Sequence, residues 1–101
     1  MTDVLDRYYE VYRMYKKSFQ YLDKYDSSFC NDIEEAINNY FNNHSIDNGI
    51  EFCSLHNDYG IIHIGLDKDI SLDDVSAIAE LLYLDVVFYN KEVIRFAIKE
   101  E

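Results

Sequence analysis

The chain has no proline, no tryptophan, three glycines and two cysteines in 101 residues. No Gly/Pro/Ser-rich linker divides it, and at this length one domain is expected, residues 1–101. Cys30 and Cys53 are far apart and fit no disulfide framework, so the expected setting is a reducing cytoplasm. No apolar run approaches the ~18 residues of a membrane span. Met1-Thr2-Asp3-Val4 offers neither the basic nor the apolar region of a signal peptide. GxxxxGK, GxGxxG and HExxH motifs are all missing. Bases are scarce as well: nine Lys and Arg against twenty Asp and Glu, for a net charge of −11. That balance disfavours direct binding of nucleic acid.

What remains is apolar and rich in tyrosine. Nearly half the residues (49%) are hydrophobic, so a core is expected despite the charge, and ten residues are tyrosine. A chain of this size buries roughly 60–65% of its unfolded surface, enough to fold without staples. Abundant Ile, Asn and Tyr with only three Arg is the usage of AT-rich codons, pointing to a low-GC bacterium or its phage.

Periodicity gives the architecture. Leu5, Tyr8, Tyr12, Tyr15, Phe19 and Leu22 follow at alternating spacings of three and four, a heptad-like seam. It predicts helix one over about 3–24, with Thr2 as cap and a basic face of Arg13, Lys16, Lys17 and Lys24. Asp26-Ser27-Ser28 reads as a break and cap, and Phe29, Ile33, Ala36, Ile37, Tyr40 and Phe41 predict helix two over about 29–42. From Gly49 the period becomes two. Strands are predicted at 50–56 and 61–66 around the turn Asn57-Asp58-Tyr59-Gly60. Ser71-Leu72-Asp73-Asp74 resembles a capping box and opens a helix over about 72–82. Alternation at Leu84, Val86 and Phe88, then at Ile94, Phe96 and Ile98, predicts two further strands around the turn Asn90-Lys91-Glu92. The fold class is therefore α+β, in the order α-α-β-β-α-β-β. A helical pair (about 3–42) precedes a ββαββ unit (about 50–99), and a four-stranded antiparallel sheet carries helices packed against it.

Few side chains could do chemistry. Cys53, His56 and His63, with Cys30 or His44 as a further ligand, are the only possible soft-metal set. A hairpin turning at 57–60 puts the two histidines on one sheet face and the cysteine on the other, so no metal is expected. Cys53, His56 and Asp58 fail as a catalytic trio for the same reason, and no oxyanion motif accompanies them. Asp67, Asp69, Ser71 and Asp73 match the early positions of a calcium loop, but Leu72 stands where glycine is required and Ile78 where the closing glutamate is required. The expectation is a protein that is not an enzyme and has no cofactor.

The charge then carries the functional reading. Residues 1–25 hold five bases and four acids, whereas residues 26–101 hold sixteen acids and only four bases. Asp26, Asp32, Glu34 and Glu35 gather at the start of helix two; Asp67, Asp69, Asp73, Asp74, Glu80 and Asp85 gather around helix three. Carboxylates so spaced approach the charge density of duplex DNA, about one charge per 1.7 Å of axis. In size, acidity, codon usage and lack of catalytic motifs, the whole chain resembles the small phage-encoded inhibitors of host defence, the anti-CRISPR and DNA-mimic proteins. That resemblance implies binding to the basic nucleic-acid surface of a nuclease or CRISPR effector. The acids above would supply the field, and tyrosines off the core (Tyr9, Tyr21, Tyr25, Tyr59 and Tyr89) the anchors. Two alternatives are a toxin-immunity protein and a homodimeric assembly module paired through the tyrosine seam.

Overall fold

The structure is a computed structural model that describes residues 3–17, 22–56 and 60–99, the side chains of 17 and 22–25 excepted. Its elements are α1 (Val4–Lys17), α2 (Leu22–Asn43), β1 (Ile50–His56), β2 (Ile61–Leu66), α3 (Leu72–Leu81), β3 (Leu84–Asn90) and β4 (Val93–Ile98). The expected α+β order is the observed one. The four strands form one antiparallel sheet in the order β1-β2-β4-β3, so the two hairpins meet through their second strands.

The helical pair differs from expectation. Among the described residues α1 runs from Val4 to Lys17, and Leu22 to Lys24, expected in helix one, already belong to α2. Asp26, Ser27 and Ser28 lie inside α2 instead of breaking the chain. These residues cost a helix only a few tenths of a kcal/mol each. Burial of Phe29, Ile33, Ala36, Ile37 and Phe41 on one stripe of α2 outweighs that cost.

Helix α3 matches the capping reading. The Ser71 Oγ accepts from the Asp74 N–H at 3.2 Å and donates to the Asp74 carboxylate at 2.9 Å. The Tyr40 hydroxyl donates to the same carboxylate at 2.8 Å, tying the start of α3 to α2.

The tyrosine seam has a specific use. A helix end leaves its last carbonyls without intrahelical partners. At the end of α3 they are met from α1: the Tyr8 hydroxyl donates to the Leu82 carbonyl at 2.7 Å, Tyr9 to Leu81, and Tyr12 to Tyr83 at 2.7 Å. The Tyr12 oxygen also accepts from the Lys99 N–H at 3.1 Å, bringing in the segment after β4. Leucines in the same seam would pack but could not serve these carbonyls. Burial pushes the Tyr8, Tyr9 and Tyr12 hydroxyls above their ordinary titration range. Tyr8 also stacks on Phe29 with ring centroids 4.9 Å apart, and Tyr15 meets Phe29 edge-on at 4.7 Å. Tyr8, Tyr12 and Tyr15 of the seam are thus buried inside the domain, while Phe19 and the side chain of Leu22 lie outside the described residues.

All three helices cover one face of the sheet. Ile62, Ile64 and Leu66 of β2, Ile94, Phe96 and Ile98 of β4, and Leu84 of β3 are buried with the helix stripes in one core. Among the described residues, the opposite face carries no helix.

Candidate functional site

The α2–β1 loop and the β2–α3 loop meet at one end of the sheet, and Asn48 joins them. Its side chain donates to the Lys68 carbonyl at 3.0 Å and accepts from the Lys68 N–H at 3.0 Å and the Gly49 N–H at 2.8 Å. The Asp67 N–H donates to the Gly49 carbonyl at 3.0 Å, and the Ile70 N–H to the Lys91 carbonyl of the β3–β4 turn at 3.1 Å. A Cβ at Gly49 would stand 3.0 Å from a carboxylate oxygen of Asp67, so the bare glycine lets the two loops close on each other.

This junction presents Asp47, Asp67, Asp69 and Asp73 to solvent. Lys68 reaches Asp47 at 2.6 Å, and that hydrogen bond holds the Asp47 carboxyl below the ordinary carboxylate range. Asp67, Asp69 and Asp73 therefore share one end of the molecule, on backbone fixed by hydrogen bonds. Asp74 belongs to the same end but is half-buried and engaged by Ser71 and Tyr40.

The other predicted acids do not join them. A helix turns 100° per residue, so carboxylates close in sequence spread around it. Asp32 turns toward α1, is buried, and meets the Arg7 guanidinium at 3.4 Å; Glu35 meets the same guanidinium at 3.1 Å. Asp26 and Glu34 line a groove on the β1 side of α2 instead. Glu80 shares a groove with Arg13 and Lys16. Asp85 lies toward the opposite end of the sheet and pairs with Lys99 at 3.3 Å. The ten acids expected to act together thus fall into separate groups, several of them neutralised locally.

The tyrosine anchors fare differently. Tyr9 and Tyr89 are not off the core: both are half-buried against it, their hydroxyls donating to the backbone carbonyls of Leu81 and Ile70. Both rings are held from within the domain because a helix end and a loop supply carbonyls within reach. Tyr21, Tyr59 and the side chain of Tyr25 lie outside the described residues, as does Asp58 of the rejected catalytic trio.

Sequence reasoning missed two features. Asn48 was visible only as a loop residue before a glycine, although an Asn side chain commonly bonds nearby backbone. The second is the uncovered sheet face. Phe52 (45% exposed), Val87 (53%) and Phe88 (39%) stand there beside Arg95, whose guanidinium lies 4.9 Å from the Phe88 ring centre. Phe88 reaches that side because β3 carries a bulge between Val86 and Phe88 that shifts its register, whereas alternation with Leu84 and Val86 put it on the other face; Val87 stands beside it. His56 and His63 stack there with ring centres 4.2 Å apart, on one face as their spacing predicts. Desolvation, helped by His56 and Arg95, pulls the His63 imidazole below its ordinary range. No group of three or more metal-ligating side chains converges among the described residues.

No protein-family model matches the chain, and neither does any curated protein or solved structure. No helix among the described residues is long and apolar enough to cross a membrane.

Proposed function

We propose that this chain is a non-enzymatic acidic inhibitor that docks its Asp67–Asp69–Asp73 end on the basic, nucleic-acid-binding surface of a nuclease or CRISPR effector. The observation that carries this reading is the fixed presentation of those carboxylates. They stand exposed on the β2–α3 loop (Asp67, Asp69) and the first turn of α3 (Asp73), where Asn48 and Gly49 lock that loop to the α2–β1 loop, at one end of a domain of net charge −11. Rigid backbone keeps like charges close in the free protein, so their repulsion is already present before a cationic partner arrives. Phosphates in a duplex offer a basic channel the same kind of preset negative array. Opposite charges steer the encounter, and salt weakens it.

The test is titration of the chain against purified RNA-guided effectors and nuclease toxins at low and raised ionic strength, with a short DNA duplex as competitor. Binding that weakens about tenfold or more over that range, and that the duplex displaces, supports the reading. The triple variant Asp67→Asn, Asp69→Asn, Asp73→Asn should lose about tenfold or more in affinity while melting normally. Binding indifferent to salt, to duplex and to the triple variant would refute it. Displacement confined to a nuclease toxin would favour the immunity-protein alternative, which uses the same chemistry.

A further inference from the structure

The two cysteines, remote in sequence, meet in the fold. Cys30 lies on α2, and Cys53 points from β1 to the core side, opposite the buried Ile64. Their side chains lie close enough that each shifts the titration of the other, Cys30 downward and Cys53 upward. Both residues are only partly buried, and they line one groove with Asp26, Asn31, Glu34 and Ser54. Far apart in the chain, they come together because α2 packs along the edge strand β1.

We propose that Cys30 and Cys53 are a modification site: a dithiol that a small disulfide such as oxidised glutathione converts reversibly into a cross-link between α2 and β1. The geometry supplies what this exchange requires: two thiols on different elements that line one groove, which a small thiol can enter. The order of events follows from their unequal surroundings. Beside Cys53 the Cys30 thiol is lowered from its ordinary range, whereas Cys30 and burial drive the Cys53 thiol well up. Cys30 therefore ionises first and attacks. Its sulfur bonds to one glutathione sulfur, the glutathione disulfide breaks, and the departing thiolate takes up the proton Cys30 released. Capping Cys30 removes its charge and frees Cys53 to ionise. The Cys53 sulfur then attacks the Cys30 sulfur, the protein disulfide forms, and the second glutathione leaves as thiolate and is protonated. The chain loses two electrons and two hydrogens, and one glutathione disulfide becomes two glutathione thiols. This proposal stands apart from the acidic docking end and does not depend on it.

Incubating the folded chain with oxidised glutathione is expected to give a monomer lighter by two hydrogens and resistant to alkylation, with Cys30 and Cys53 peptides linked after digestion. Dithiothreitol should reverse it, and the oxidised form should melt roughly 10 °C higher. In the Cys53→Ser variant the reaction should stop at a mixed disulfide on Cys30; Cys30→Ser should react far more slowly. The wild-type result decides even if a variant misfolds. Several findings would overturn the proposal: mixed disulfides or intermolecular dimers alone, cross-linking no faster in the folded chain than in concentrated urea, or an oxidised form that melts lower.

Discussion

The two faces of the sheet are built from the same alternation and end in opposite environments. On the covered face, Ile62, Ile64, Ile94 and Phe96 are at most 1% exposed beneath the helices. On the open face, Phe52, Val87 and Phe88 stand in solvent with Arg95 and the stacked histidines. An aromatic residue in a strand thus reports the strand and not its burial. Burial is decided by which face receives the helices. The acids follow a third rule: the exposed group at Asp67, Asp69 and Asp73 sits at the loop junction, where charges meet water and no packing is disturbed.

The largest expected effect separates the faces directly. Phe96→Ala opens a cavity in the core and should cost about 3–5 kcal/mol in urea denaturation. Phe88→Ala, on the open face, should cost about 1 kcal/mol or less, since the ring already keeps much of its contact with water. Similar losses for the two would mean that the open face is covered in solution and would break the comparison.

A smaller effect tests the tyrosine seam on the covered side. Tyr8→Phe keeps the ring and strands the Leu82 carbonyl, and should cost about 1–2 kcal/mol. These hydroxyls also make stability fall at alkaline pH. Their folded titration points are raised, so the neutral form is favoured in the native state. Their contribution is complete below the unfolded value of about 10 and is lost as pH rises above it. Alkaline melting curves should show that loss, and Tyr8→Phe should lessen it.

The smallest effect lies on the open face. His63 titrates below its ordinary value, so the unfolded chain binds more protons as pH falls through the window just under about 6.5. Stability from this group is present above that window and is lost on acidification. NMR titration should place the His63 midpoint below that of a free histidine, and Arg95→Gln should move it upward. A midpoint unmoved by Arg95→Gln would separate His63 from its charged neighbour and weaken the account of the open face as one electrostatic patch.

Some of this was legible in the residues. The seven elements and their order followed from periods of two and of three to four, and Ser71 with Asp74 announced the start of α3. The break between the first two helices was misplaced because Asp26-Ser27-Ser28 carry local signals that tertiary packing overrode. The candidate site was legible only in part. Asp67, Asp69 and Asp73 emerged as an acidic group, whereas Asp32 paired with Arg7 and Asp85 with Lys99. Those partners are 25 and 14 positions away in the chain, and nothing local reveals them.

By itself the sequence determined the element types, the antiparallel sheet and the surplus of negative charge, because hydrophobic period and composition are local properties. Tertiary structure alone decided which sheet face is covered, which carboxylates remain free, that the tyrosines of α1 cap α3, and that Cys30 meets Cys53. Each of these depends on how elements distant in the chain dock. Docking is settled by the summed burial of many side chains, which no short stretch of sequence contains.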